Sequence, residues 1–233
     1  KMLYDNIQYV NLLNNYLINK ESDYLKSKLR QTIKFINSEF LLKNNMLGSA
    51  YDADSDGVEG KYYVWKYQEL KEILGNELEI FKQKYQISEQ GNFEGSNILV
   101  ENLDSNISEE TRIVEIEQKL LEIRKKRNKP FFDDKAQTDL NAFWIYVNLY
   151  SSIILNDKNL FEKLKNNIEN FNRIYENKLY HCYNDNKQID VFLEDYVYFS
   201  LLLLSHYEFT NNQSSLEKCN KLMDEAWNNF FNS

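Results

Sequence analysis

The chain has 233 residues, 42% hydrophobic and 15% aromatic, with six glycines and a single proline. So few turn-formers exclude a β-sandwich, a collagenous segment or a disordered linker and predict a mainly helical globular chain. Thirty-six acidic against 28 basic residues leave a net charge of −8, which opposes approach to a phosphate backbone or an anionic bilayer, so neither nucleic acid nor membrane is an expected partner.

No apolar run nears the roughly 18 residues that span a bilayer. The opening run KMLYDNIQYV lacks the regions of a signal peptide and begins with Lys1, which predicts a cytoplasmic location and a piece of a longer polypeptide. Cys182 and Cys219 have neither CxxC nor metal-ligand spacing and read as reduced, partly buried thiols.

Three helical hairpins organise the chain. The first runs through Ile7, Val10, Leu13 and Leu17, turns between Asn19 and Asp23, and returns with Leu25, Leu29, Ile33, Ile36 and Phe40 at spacings of three and four. The second begins at Asp139-Leu140-Asn141-Ala142, turns at Asn156-Asp157 and returns with Leu160, Leu164, Ile168, Phe171 and Tyr175. The third begins at Leu193-Glu194-Asp195-Tyr196, turns at Asn211-Asn212 and returns with Leu216, Cys219, Met223, Trp227 and Phe230. In each pair the first helix is apolar nearly all round and the second carries one apolar stripe, the pattern of a buried inner and a surface outer helix. Such pairs predict an α-solenoid or an arc of an (α/α) toroid. Three pairs leave the ring incomplete, so apolar flanks and self-association are expected.

Residues 48–107 interrupt this rhythm. Asp52-Ala53-Asp54-Ser55-Asp56-Gly57 matches the opening of an EF-hand loop, but Tyr63 stands where the closing Glu belongs. The run therefore reads first as an acidic turn in which Asp side chains cap backbone amides, with a substrate-facing loop or a calcium-dependent module as alternatives. The alternating Lys61-Tyr62-Tyr63-Val64-Trp65 reads as a strand returning from a hairpin. Helices follow at 67–74 and 77–85, then a strand near Asn97–Val100 and a helix over 109–127 with Ser108 as N-cap and Glu109 and Glu110 in its first turn. The basic run from Arg124 to Lys129 ends that helix, where cations complement its dipole. A last small hairpin is predicted between Leu179 and Phe192.

Each inner helix opens on similar groups: Asp5 and Asn6, Asp139 and Asn141, Glu194 and Asp195. They cap helix N-termini, and they also suit a mouth presenting carboxylates and amides to a polyhydroxylated ligand. Tyr4, Phe143, Trp144 and Tyr196 are the stacking surfaces of that reading. Helix dipoles aimed into such a mouth are expected to lower its carboxylate pKa values. Phe131 or Phe132 beside Asp133 is the pairing that suits a general acid.

The runs Lys1-Met2-Leu3-Tyr4-Asp5-Asn6, Tyr51 to Gly57 with Glu59 to Trp65, Gly91 to Gly95 with Asn97-Ile98-Leu99, Asp133-Asp134-Lys135 and Leu193 to Tyr196 resemble, in order, the thioredoxin-domain-containing, spermatogenesis-associated protein family. The resemblance implies a mainly α fold, part of an (α/α)6 toroid similar to N-acylglucosamine 2-epimerases and six-hairpin glycosidases, spanning residues 1–233 with a small β-hairpin insertion at 48–107. It also implies a thioredoxin-like module and the remaining hairpins elsewhere in the polypeptide. One departure stands out: Thr138-Asp139-Leu140-Asn141-Ala142 occupies the place of the family's Thr-Ser-Trp-Asn-Gly, which removes a stacking tryptophan.

Glycoside hydrolysis needs two carboxylates flanking the scissile bond, for which Asp5, Asp133, Asp134, Glu194 and Asp195 are the candidates. Epimerisation needs an acid and base pair, commonly histidines in the related epimerases, and His181 and His206 are the two histidines present. Tyr4, Asp52, Asp54, Lys61, Trp65, Lys135, Asn141 and Tyr196 are the expected ligand-binding residues, with no metal or cofactor assigned. A sugar-binding or sugar-processing domain is the first expectation, and a non-catalytic scaffold accompanying a thioredoxin-like domain the second.

Overall fold

The computed structural model describes residues 1–103, 110–175, 178–183 and 189–231. Its helices are α1 (Leu3–Asn19), α2 (Asp23–Glu39), α3 (Tyr67–Leu74), α4 (Leu78–Lys84), α5 (Glu110–Lys125), α6 (Thr138–Ile154), α7 (Lys158–Ile174), α8 (Leu193–Thr210) and α9 (Gln213–Phe230). Short antiparallel sheets accompany them. The chain divides into two compact units, Lys1–Ala50 with Phe132–Ser233, and Tyr51–Phe131. The second unit takes in α5 as well as the irregular stretch before it.

The first unit is built from the three expected hairpins. The outer helices start on side-chain caps: Ser22 Oγ accepts from Leu25 N in α2, Asp157 Oδ1 from Leu160 N in α7 and Asn212 Oδ1 from Ser215 N in α9. Asn156 and Asn211, at φ 51° and 56°, bend the chain left-handed between partners. Helix α6 lies between α1 and α8, and each of these three packs on the helix that follows it. Two contacts at matching depth show that the inner helices run parallel: Asn14 Nδ2 donates to Val147 O at 2.7 Å, and Tyr150 lies 3.4 Å from Ser205. Their N-termini therefore share one end.

The core of this unit centres on Phe171, Tyr175 and Phe199, with Phe171 edge-on to Phe199 at 4.9 Å. Position in the row decides how apolar each inner helix must be. Helix α6 is buried on most of its faces, whereas α1 buries one stripe and leaves Tyr9, Leu12 and Tyr16 exposed. Met223, Trp227 and Phe230 are exposed on α9. This surface should drive self-association at roughly tens of micromolar, read as a concentration-dependent sedimentation coefficient that Trp227→Ser reduces.

Buried His206 near the end of α8 faces Ser215 Oγ at 2.8 Å through Nδ1. Burial holds its pKa below the usual histidine value; Lys165 adds to the shift and Glu169 opposes it. With the folded pKa depressed, the unfolded chain binds the extra proton first, so this contribution is present above about pH 6.5 and lost as pH falls through the folded value. Urea midpoints should thus fall on acidification more steeply for the wild type than for His206→Asn.

The second unit packs α3, α4 and α5 around Trp65, Leu70, Phe81, Ile113 and Leu120. Its hairpin pairs Asp54–Ser55 with Val58–Glu59 through a type I′ turn, in which Asp56 and Gly57 take φ 54° and 73°. The acidic run is thus a turn of the expected kind: Asp52 Oδ1 accepts from the backbone N of Ala53 at 2.7 Å and of Asp54 at 3.4 Å.

The strand expected at Lys61–Trp65 does not form. Gly60 at φ 71° opens a turn that closes with Tyr63 N donating to Gly60 O at 2.7 Å, and within the run only Trp65 bridges, to Asn97. Alternation alone cannot register that turn, because its signal is one glycine. Arg127 fixes the run: Nη1 donates to the carbonyls of Lys61, Tyr62 and Val64, Nη2 to Glu69 Oε1 at 2.7 Å, and the guanidinium lies 4.0 Å over the Trp65 ring.

The strand near Asn97–Val100 appears as Val100–Glu101 pairing with Tyr85–Gln86. In the predicted 179–192 hairpin, Cys182 bridges Ile189, while Cys182–Tyr183 forms its ladder with Ala136–Gln137. Residues 184–188, and the expected Ser108 and Glu109 at the α5 N-terminus, lie outside the described residues.

Candidate functional site

A chain of hydrogen bonds stitches together the end of the first unit where the inner helices start. Leu3 N donates to Ser49 O, Ser49 N to Asp133 O, and Ser49 Oγ to Lys135 O. The ladder of Ala136–Gln137 with Cys182–Tyr183 follows. Thr138 N then donates to His181 O at 2.8 Å. This ladder carries His181 from its loop to the N-terminus of α6.

There His181 meets two carboxylates. Its Nδ1 lies 3.1 Å from both Asp195 oxygens, and Asp195 also accepts from Phe192 N at 2.8 Å and from Asp139 N at 3.1 Å. Asp195 has no exposed surface, whereas His181 keeps a partly exposed ring whose Nε2 faces Gln137 Nε2 at 3.1 Å. A carboxylate accepts only, so the neutral imidazole carries its proton on Nδ1; the Gln137 amide then donates to a free Nε2 lone pair. Phe192 packs edge-on against the ring at 4.6 Å. Asp139 Oδ1 is sealed from solvent and has no hydrogen-bond partner among the described residues.

Burial pushes the pKa of both carboxyls up. At Asp195 the bond from Phe192 N and the nearby imidazole oppose this shift without reversing it. At Asp139 the Leu140 N–H and His181 oppose it, and Glu194 adds to it. The expected lowering by helix dipoles is therefore overturned: a few N–H groups do not offset the loss of water around a charge.

Ligand atoms of Asp139, His181 and Asp195 lie within 4.8 Å of one another. Two carboxylates and an imidazole form a donor set that a divalent transition metal accepts.

Of the sequence-predicted residues, Asp195 stands at the centre of this cluster. Glu194, beside it, and Asp5 are exposed in the first turns of α8 and α1. Asp133 pairs with Lys135 at 2.8 Å, so it sits against a cation and not in the apolar pocket a general acid needs. Asp133, Asp134 and Asp195 all act electrostatically on the Cys182 thiol, whose pKa is raised chiefly by burial, so these groups gather at one end. Tyr4 is exposed.

Asn141 is buried and spends its amide on the backbone of Leu47 and Gln137. Tyr196 is buried with Asn229 donating to its hydroxyl, and Phe143 and Trp144 are buried as well. All four are packing residues. Asp52, Asp54, Lys61 and Trp65 belong to the second unit; Trp65 fills its core and Lys61 pairs with Asp56 at 2.8 Å.

The sequence offers His181 as one of two histidines for an acid and base pair and Asp139 as an inner-helix N-terminal group, without joining them to Asp195. Nothing in the spacing of residues 139, 181 and 195 announces the cluster. The one available signal was the histidine beside a predicted strand that had to pair somewhere. The chain matches no protein-family model and no curated protein.

Proposed function

We propose that the helical unit is part of an (α/α) toroid that processes a sugar by proton transfer, in the manner of the N-acylglucosamine 2-epimerases, within a longer thioredoxin-domain-containing polypeptide of the cytoplasm. The observation that carries this reading is the His181 imidazole, with Nδ1 anchored on buried Asp195 and an unprotonated Nε2 on the partly exposed side, where it accepts from the Gln137 amide. In the proposed step the sugar displaces the Gln137 amide, Nε2 takes the proton from the carbon next to the carbonyl of the open-chain form, leaving an enolate, and Asp195 stabilises the imidazolium that forms. Burial of Asp139 favours the protonated form that a proton donor needs.

Glycoside hydrolysis fits less well. Among its candidate carboxylates Asp195 has no exposed surface and is spent on three donors, and Asp133 pairs with Lys135. Asp5, Asp134 and Glu194 then serve as hydroxyl acceptors around the mouth.

The scaffold reading draws its support from the exposed Tyr9, Leu12 and Tyr16 of α1, a surface suited to docking a neighbouring module. The test is exchange of the C2 proton of N-acylhexosamines and aldoses in deuterated water, followed by NMR. Exchange that His181→Gln slows about 100-fold or more supports the epimerase-like reading. Absence of exchange across the panel sinks it in favour of the scaffold.

A further inference from the structure

We propose that the second unit carries a binding site for an organic cation, of the primary-amine or quaternary-ammonium class, in the cleft between its two acid-glycine turns. This cleft is separate from the His181 cluster and does not depend on the sugar reading.

The cleft encloses about 550 Å³, within the roughly 300–1,000 Å³ of small-molecule sites. Asp56-Gly57 forms one turn and Glu94-Gly95 the other, the second closed by reciprocal backbone bonds between Phe93 and Ser96. Glu94 holds φ 46°, a left-handed conformation that glycine or asparagine adopts more readily, and it puts a carboxylate on the cleft wall.

The charges decide the ligand. Four carboxylates, Asp56, Glu59, Glu69 and Glu94, line the cleft with Lys61, Lys66 and Arg127. Lys61 is held by Asp56 at 2.8 Å, and Arg127 by Glu69 and three carbonyls. The Arg127 fork is thus occupied, and Asp56 offsets the charge of Lys61, whose ammonium keeps N–H groups open. Glu59 and Glu94 make no ion pair among the described residues, and Lys66 alone stands against them, so the unpaired groups favour a positive guest.

The wall is apolar and aromatic. Val58, Val64 and Phe93 line it together with Tyr62, which is 5% exposed and whose hydroxyl makes no hydrogen bond among the described residues. That oxygen is not sealed from solvent and is open to a donor arriving in the cleft. An ammonium N–H donating to that oxygen and to Glu59 or Glu94, with the ring of Phe93 against the alkyl or methyl groups, satisfies the wall and the charges together.

The test is calorimetric titration of the whole chain with putrescine and with choline at about 0.15 M salt, where non-specific attraction to an acidic protein is screened. Glucose and inorganic phosphate serve as control ligands. The expected result is saturable one-site binding of at least one amine, weakened about tenfold or more by Glu59→Gln with Glu94→Gln or by Phe93→Ala, and unaffected by Glu162→Gln on α7. Lys66→Met removes the opposing charge without touching the core and should tighten binding several-fold, which keeps the test sound if Phe93→Ala unfolds the unit. Phosphate or glucose binding in place of the amines overturns the proposal. So does a loss equal in Glu162→Gln, or no amine binding up to millimolar concentration.

Discussion

Asp195→Ala should destabilise the helical unit by about 3 kcal/mol or more, because three hydrogen-bond donors lose one shared acceptor. The carboxylate is fully buried and accepts from Phe192 N, Asp139 N and His181 Nδ1. Deleting it strands these donors, and each buried donor left unmade costs about 1–3 kcal/mol. Urea unfolding followed by circular dichroism reads the loss.

Asp195→Asn makes a sharper probe. Its amide keeps one acceptor oxygen but turns an N–H₂ toward a group that itself donates, so stability falls less while the His181 tautomer changes. A nitrogen-15 spectrum reporting the proton still on Nδ1 would contradict the assignment of Asp195 as the anchor. The pH dependence has a definite sign: burial raises the folded pKa of Asp195 and of Asp139. Their contribution is therefore fully present below the unfolded carboxylate value and is lost as pH rises through the folded one. The Asp195→Asn variant should show a flatter stability profile on the alkaline side of that window.

The second large effect is expected at Arg127. Its guanidinium binds three carbonyls of the run between Lys61 and Val64, pairs with Glu69 and covers Trp65. Arg127→Ala should cost about 3 kcal/mol or more, because hydrogen bonds to a charged group contribute about 1.5–3 kcal/mol each and here they are shared by one side chain. Hydrogen exchange should reveal it as lost protection between Lys61 and Trp65, with the helical unit unchanged. Arg127→Lys should rescue little, since a single ammonium cannot span the carbonyls and stack on the indole at once. Full rescue would mean that charge, and not the planar fork, holds the run.

These two residues mark where sequence and tertiary structure divide the work. The helices were legible because their signals are local: three-and-four spacing, broken by polar turns at Asn19 to Asp23, Asn156-Asp157 and Asn211-Asn212, where the structure places the caps Ser22, Asp157 and Asn212. The acidic turn was legible for the same reason, since an aspartate followed by glycine fixes its own backbone. The strand at Lys61–Trp65 was misread because a single glycine, Gly60, opens its turn and Arg127, far along the chain, holds it. In the site, Asp195 could be picked out as an acidic residue in the first turn of a helix. Its partners His181 and Asp139 come together only when the Ala136–Gln137 ladder with Cys182–Tyr183 forms. Burial, which no local pattern records, then reversed the direction in which the carboxyl groups titrate.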